Sequence, residues 1–204
     1  MASSFTTNYG FEEIATGEQS GSWGTTTNFN YDILDRIASY KSVALSDAST
    51  ATLTVREASP GSGTENLQDG MFRVIKFTGS LSQNCTITIA PNTTTAYFLF
   101  VNATNRSLIL SQGSGANVTI ATSSADIVYC DGAGSGAAVA SFLANNLVFG
   151  ADVSIGDDLS LLSDAAILNF GADSDVNLTH VADAGLLLNA AMYLSFRDSA
   201  LKIL

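Results

Sequence analysis

The sequence predicts an all-β fold: an N-terminal extended arm with a short helix, an antiparallel β-sandwich, and a short-strand repeat shaft. The first observation is period-two alternation of apolar and polar residues, as in Thr52–Val55 and Thr86–Ile89. The second is that charged residues form only 13% of the chain, and the small polar residues that replace them are typical of β-rich chains. The third is a run of short Leu/Ile-rich segments near the C-terminus, spaced about 8 to 10 residues apart.

The amino-acid composition alone already excludes some classes of function. The chain has 204 residues and a net charge of −11 with only 8 Lys plus Arg, so no basic patch is expected to neutralise phosphates and nucleic acid is excluded as a partner. Its apolar stretches are shorter than the roughly 20 residues of a membrane span, so no membrane insertion is expected. The N-terminus lacks a cationic region and an apolar run, which indicates synthesis in a cytoplasm without secretion.

Two cysteines, Cys85 and Cys130, are too few and too far apart in sequence for a zinc site or a redox pair. Without a secretion signal they should stay reduced. We therefore expect both to be buried packing thiols.

Residues 1–42 are predicted to form a docking arm and a short helix. The first part is rich in Gly, Ser and Thr with isolated aromatic residues, a pattern that favours a flexible arm whose aromatic anchors dock into another protein and become ordered on binding, over a merely disordered terminus. Residues 28–40 then carry apolar side chains at helical spacing behind an Asn/Asp cap. The candidate partner-docking residues are Tyr9, Phe11, Trp23, Phe29, Tyr31 and Ile33.

Residues 43–143 are predicted to form the antiparallel β-sandwich module. Dense apolar runs at Phe72–Phe77, Tyr97–Val101 and Ile127–Cys130 indicate central strands that are covered on both faces. Turn residues such as Pro60-Gly61 and Pro91-Asn92 separate the strands at the spacing of a sandwich.

Residues 144–204 are predicted to start a β-repeat shaft. Strands are expected near residues 159–161, 166–170, 176–179, 186–188, 193–196 and 201–203. Strands this short do not bury both faces within one chain, so the core must be completed by further repeats or by other chains. Three chains winding together as an intertwined homotrimer would satisfy this requirement.

Several phrases of the sequence resemble the tail fibres of tailed phages. Asn8-Tyr9-Gly10-Phe11-Glu12, then Ser22-Trp23-Gly24 and Asn28–Asp35, are similar to the N-terminal segment of many tail-fibre proteins. Phe77–Leu81, Thr86–Pro91, Phe100–Thr104 and Ile127–Gly132 resemble a β-module common in those proteins, and Ile167–Val181 resembles a phrase repeated in fibre shafts.

The resemblance implies a structural virion protein that attaches to the phage tail by its N-terminal region and carries a distal host-recognition part. Its implied partners are other copies of itself and the tail adaptor, nozzle or baseplate proteins, with a host surface receptor reached only through the distal part. The implied location is the virion tail, after synthesis in the host bacterial cytoplasm. Nothing resembles a receptor-binding tip, so we expect the natural polypeptide to continue beyond Leu204.

Enzymatic activity is not expected, and neither a catalytic site, a cofactor nor a metal site is predicted. His180 is the single histidine, and in a trimer three copies of it could meet on the axis and bind a metal or anion. Asp157-Asp158 and Asp173-Ser174-Asp175 could hold calcium or serve a glycosidase. Solvated turn aspartates and a structural histidine are the favoured interpretation.

Alternative functions remain open at the level of sequence. The chain could belong to a head or neck fibre. It could also be the stem of a tailspike depolymerase whose catalytic part lies beyond residue 204. A bacterial surface adhesin is disfavoured by the missing secretion signal.

Overall fold

The computed structural model describes residues 2–143, 154–171, 174 and 176–188. Within them the fold is mostly β with one α-helix, so the all-β prediction is confirmed at that level. The chain divides into two compact units, residues 1–148 and 149–204. The finer division at residues 42/43 and 143/144 stays a prediction.

The N-terminal region begins with a small hairpin and continues into the helix. Strand β1 (Ser4–Phe5) pairs antiparallel with β2 (Glu12–Glu13), and helix α1 spans Trp23–Ile37. The predicted helix at 28–40 therefore begins five residues too late and ends three residues too far along. Thr26 is buried on the same helical face as Ile33. Because threonine is polar, the spacing of apolar residues alone does not reveal this earlier part of the helix.

Nine strands and two short 3₁₀ turns follow. The 3₁₀ turns are Asp69–Met71 and Gly134–Gly136. The strands are β3 (Tyr40–Ala44), β4 (Thr50–Thr54), β5 (Val74–Gly79), β6 (Cys85–Ala90), β7 (Ala96–Thr104), β8 (Leu108–Ser111), β9 (Val118–Ile120), β10 (Ala125–Cys130) and β11 (Val139–Ser141).

These strands form two sheets, and the chain moves from one sheet to the other after each strand from β3 to β7. The five-stranded sheet has the order β11-β10-β7-β5-β3, and the four-stranded sheet has the order β4-β6-β8-β9. Because the chain re-enters each sheet in the same direction, the neighbours β3, β5 and β7 are parallel, as are β4, β6 and β8. The predicted antiparallel pairing is therefore wrong for these six strands.

Within the four-stranded sheet, the chain direction reverses at the turn between β8 and β9. These two strands are antiparallel neighbours in the four-stranded sheet. Strand β10 then runs antiparallel to β7, and β11 runs antiparallel to β10. Antiparallel pairing in residues 40–143 is thus limited to the last three strands and their partners.

One apolar core is shared by the two sheets. Buried side chains of the five-stranded sheet, such as Ile75, Phe77 and Phe100, join buried side chains of the four-stranded sheet, such as Ile87 and Leu110. The rings of Phe98 and Phe100 stack with centroids 4.8 Å apart. Cys85 and Cys130 lie in this core as free thiols, as predicted, and burial, aided by the neighbouring Asp131, raises the pKa of Cys130 to about 12.

The second unit contains an antiparallel three-stranded sheet. Its strands are β12 (Ile167–Phe170), β13 (Val176–Val181) and β14 (Gly185–Leu188). Three of the predicted shaft strands thus exist, but residues 159–161 have irregular backbone. The predicted strands at 193–196 and 201–203 lie outside the described residues. Of the helices in the described part of the chain, none is long and apolar enough to cross a membrane.

Candidate docking surface on the N-terminal helix

Helix α1 presents one face to the rest of its own unit. Thr26 and Ile33 are only 1% and 2% exposed, and Phe29 and Ile37 are partly buried beside them. Successive residues of a helix are rotated by about 100°, so these four positions fall on a single stripe. This stripe attaches the helix to the body of the protein.

A second apolar stripe runs along the solvent side of the same helix. Trp23, Tyr31 and Leu34 are 63%, 62% and 54% exposed. Their separations of eight and eleven residues place all three side chains within about 80° of one another around the helix axis. An amphipathic surface helix normally turns polar residues to this side, so the stripe Trp23–Tyr31–Leu34, called here the helix stripe, is an exposed aromatic patch that helix packing does not require.

Reciprocal hydrogen bonds fix the helix relative to the hairpin. The Asn30 side chain accepts a hydrogen bond from the Glu12 backbone N–H and donates one to the Glu12 carbonyl oxygen, each at 2.9 Å. Nearer the end of the helix, the Arg36 guanidinium donates to the Gln68 carbonyl oxygen at 3.2 Å. The helix stripe is therefore carried on a positioned element.

The Glu12 carboxylate links three separate segments. It is 7% exposed and accepts hydrogen bonds from Ser62 Oγ at 2.5 Å, from the Gly63 backbone N–H at 2.7 Å, and from the Gln19 side chain. Burial opposes ionisation, but the hydrogen bonds together outweigh it and hold the pKa of Glu12 below its ordinary value. The ionised carboxylate thus joins the hairpin to the segment before the helix and to the loop after β4.

An arginine stacks between two tyrosines at the end of the five-stranded sheet. The Arg73 guanidinium carbon lies 4.8 Å from the centroid of the Tyr9 ring and 4.6 Å from that of the Tyr97 ring. Burial raises the pKa of Tyr9, and the neighbouring Arg73 charge only partly offsets that effect. Tyr9 also packs against the shared core.

The N-terminal segment is thus folded against its own unit. Besides Tyr9, the Asn8 side chain accepts hydrogen bonds from the Thr95 backbone N–H and hydroxyl at 3.1 and 3.0 Å. The expectation of a free, flexible arm is therefore wrong in this structure. The reason is that its aromatic and polar side chains find partners within the same chain.

The six predicted docking residues consequently fall into two groups. Trp23 and Tyr31 are exposed on the helix stripe. Ile33 is buried, and Tyr9, Phe11 and Phe29 are partly buried within the same chain, so these four side chains support the surface instead of forming it. Leu34 was not among the predicted docking residues, although its spacing of three residues from Tyr31 could have revealed it.

The remaining candidate sites do not assemble into a chemical centre. His180 lies on β13, where it lines a depression together with leucines such as Leu161, Leu178 and Leu186. Asp157 and Asp158 are exposed in irregular backbone, and Asp173 and Asp175 lie outside the described residues. Among the residues that the structure describes, no three His, Cys, Asp or Glu side chains come close enough together to hold a metal ion.

Known proteins add no further identification. No protein-family model matches the chain. Comparisons with curated proteins and with solved structures find no match either. The function is therefore argued from the surfaces just described.

Proposed function

We propose that this chain is a structural protein of a phage virion, a tail fibre that attaches to the tail through its N-terminal region. The observation that carries the proposal is the helix stripe, on which Trp23, Tyr31 and Leu34 are all more than half exposed. Trp and Tyr are the residue types that contribute most to binding energy at protein interfaces. A helix that displays them on its outer side fits a groove of a partner protein.

The way the helix is held favours docking of a preformed surface. The Asn30–Glu12 hydrogen bonds and the packed Ile33 position the helix before any partner arrives. A positioned surface loses less conformational freedom on binding than a flexible arm does. Attachment by a preformed helix therefore replaces the fold-on-binding attachment expected from the sequence.

The module and the second unit suit the other parts of a fibre. In the proposal, the two sheets of residues 40–143 act as a sandwich that spaces the base of the fibre, and the second unit begins a shaft of three intertwined chains. The second unit exposes many large apolar side chains, among them Leu162 at 92% and Leu186 at 75%. Such exposure supports a shaft whose core is completed by other chains.

The proposed partners and location follow from the same assignment. The helix stripe docks onto an adaptor, nozzle or baseplate protein of the tail, and other copies of this chain complete the fibre. In the proposal, a host receptor is contacted by a distal part of the fibre. We propose no enzymatic activity for this chain.

The test is binding of the purified full chain to phage tails that lack fibres. Replacing Trp23 or Tyr31 with Ser should weaken binding at least about 30-fold, since a buried aromatic anchor contributes about 2 kcal/mol or more. The control is Leu159→Ser, which removes a similarly exposed apolar side chain, 61% exposed, from the second unit. Tail binding that is unchanged in the Trp23→Ser and Tyr31→Ser variants would contradict attachment through the helix stripe.

A further inference from the structure

The outer face of the five-stranded sheet is apolar, although no described part of the chain covers it. Alternation along the strands turns Ile75, Phe77, Phe98, Phe100 and Val128 into the core, so the residues between them point outward. Register places these outward residues side by side in rows. One row is Tyr40, Val74, Leu99 and Ile127, and the next contains Tyr97 opposite Tyr129.

The exposed fractions show how open this face is. Tyr40, Tyr97, Tyr129 and Phe142 are 55%, 60%, 46% and 56% exposed, and Ile127 is 37% exposed. Tyr97, Ile127, Val128, Tyr129 and Phe142 enclose a shallow depression of about 270 Å³. We call the surface formed by Tyr40, Tyr97, Ile127, Tyr129 and Phe142 the sheet face.

The apolar area of the sheet face has the scale of a protein interface. Large aromatic side chains bury about 150–250 Å² each, so the exposed parts of these five residues amount to roughly 500 Å². Half-buried Val74, Leu99 and Val101 adjoin them. A stable protein–protein contact buries about 800 Å² on each partner. The five side chains supply a large part of this area before the residues around them are counted.

The charged residues at the sheet face indicate which partner binds there. The chain carries 19 acidic residues and a net charge of −11, yet the outward positions of β3, β5, β7 and β10 hold no carboxylate. The charges at this face are both positive: Lys76 on β5, and Arg73, whose guanidinium lies over the Tyr97 ring. A different protein that binds an acidic chain is attracted by basic residues of its own. The sheet face has no acidic residues with which such basic residues could pair. Two acidic copies meet with least repulsion where their carboxylates are absent.

We infer that the sheet face is a contact between copies of this chain, formed by residues 40–143 without need of the shaft. The inference deepens the proposed function and rests on it for the number of copies, three. Each copy then covers the outward side of strands β7 and β10, whose apolar residues on both sides are typical of strands buried on both faces. The module thereby takes part in assembly and is more than a spacer.

The inference is tested by the solution mass of the full-length chain, measured by light scattering over a concentration series. The wild-type mass should approach three times 21.2 kDa. The double variant Ile127→Thr/Tyr129→Thr keeps strand propensity but removes apolar contact from the centre of the face. Its dissociation constant should rise at least about 30-fold, the effect of losing an interface anchor.

Ile109→Thr is the matched control, since it makes the same kind of change in strand β8, where Ile109 lies between the core residues Leu108 and Leu110 and so points outward from the four-stranded sheet. It should leave the mass unchanged, and circular dichroism should show that every variant is folded. A wild-type chain that is monomeric at all concentrations would overturn the inference. So would a folded sheet-face variant that associates as strongly as the wild type, because assembly would then run through other surfaces.

The two proposals fail separately. If the sheet-face variants dissociate but no variant or wild-type chain binds tails, the copy contact stands and the tail assignment falls. If the helix-stripe variants lose tail binding while the sheet-face variants keep the wild-type mass, the tail assignment stands and the copy contact falls.

Discussion

The Arg73 guanidinium carbon lies 4.8 Å from the centroid of the Tyr9 ring, so a residue of the N-terminal segment is held by a residue at the start of a central strand. A cation over an aromatic face is attracted by the ring, the more so where water is partly excluded. Since Tyr9 also packs against the core, this pair is one attachment of residues 2–13 to the module, beside the hydrogen bonds of Asn8 and Glu12.

Replacing Tyr9 with Ala should therefore lower the free energy of unfolding by about 2 kcal/mol, through loss of the packed ring and of the cation–π contact. Tyr9→Phe keeps the ring and should cost less than about 1 kcal/mol. Equilibrium unfolding in guanidinium chloride measures both. Equal effects of the two substitutions would show that the hydroxyl, and not the ring, carries the attachment.

The Glu12 carboxylate should make stability depend on pH in the acid range. Its pKa is lowered in the folded chain from an ordinary value of 4.5. A group with a lowered folded-state pKa contributes its full stabilisation above the unfolded-state pKa and loses it as the pH falls through the folded-state pKa.

Glu12→Gln removes this titration. The melting temperature of the variant should lie below that of the wild type at pH 7, and the difference should shrink as the pH falls below about 4.5, the ordinary pKa of the group. Thermal unfolding followed by circular dichroism at pH 3 to 7 measures the difference. A constant difference across this range would contradict the role of the ionised carboxylate.

Gly70 is required by close packing of the backbone. A Cβ at this position would lie 2.5 Å from the Thr54 carbonyl oxygen and 2.8 Å from the Val55 nitrogen, and neither backbone atom can move without disturbing β4. Gly70→Ala should therefore destabilise the chain by about 1–3 kcal/mol.

The control is Gly24→Ala in helix α1, where an added Cβ meets nothing within 4 Å. Alanine in place of a helical glycine should stabilise the chain by up to about 1 kcal/mol. Chemical denaturation should thus give opposite signs for the two substitutions. Two losses of similar size would contradict the steric account of Gly70.

Asn102 ties the turn after β7 to the end of β9. Its side chain is 1% exposed; it donates to the carbonyl oxygens of Arg106 at 2.8 Å and Ile120 at 3.0 Å, and it accepts from the Thr104 backbone N–H and hydroxyl. Asn102→Ala leaves these buried groups without partners and should cost about 2–4 kcal/mol.

Asn117→Ala serves as its control, because Asn117 is exposed in the turn between β8 and β9. This substitution should change stability by no more than about 0.5 kcal/mol. Urea unfolding of the two variants measures both effects. A loss below 1 kcal/mol for Asn102→Ala would show that water replaces the amide.

The local sequence pattern predicted where the strands lie better than it predicted which strands pair with each other. Alternation in Thr86–Ile89 correctly predicts β6, in which Ile87 and Ile89 are buried and Thr88 is exposed. The same pattern does not reveal that β6 lies parallel to β4 and β8. A turn that leads into a hairpin and a turn that leads to the opposite sheet use the same residue types.

The candidate site was predictable only in part for a related reason. Trp23 and Tyr31 were identifiable as candidate docking residues because large aromatics are uncommon in a polar segment. Phe29 has the same local signal, but it is partly buried against the body of the protein. Which stripe of a helix faces the body depends on contacts with Glu12 and Gln68, distant in sequence, and the sequence pattern of the helix does not contain that information.

The most direct test of the proposed function is immunogold electron microscopy of phage particles with an antibody raised against the purified chain. The account predicts gold particles at the tail, at the point where fibres join it. Gold particles on the head or neck would contradict the account. Unlabelled phage particles from a lysate that contains the chain would also contradict it.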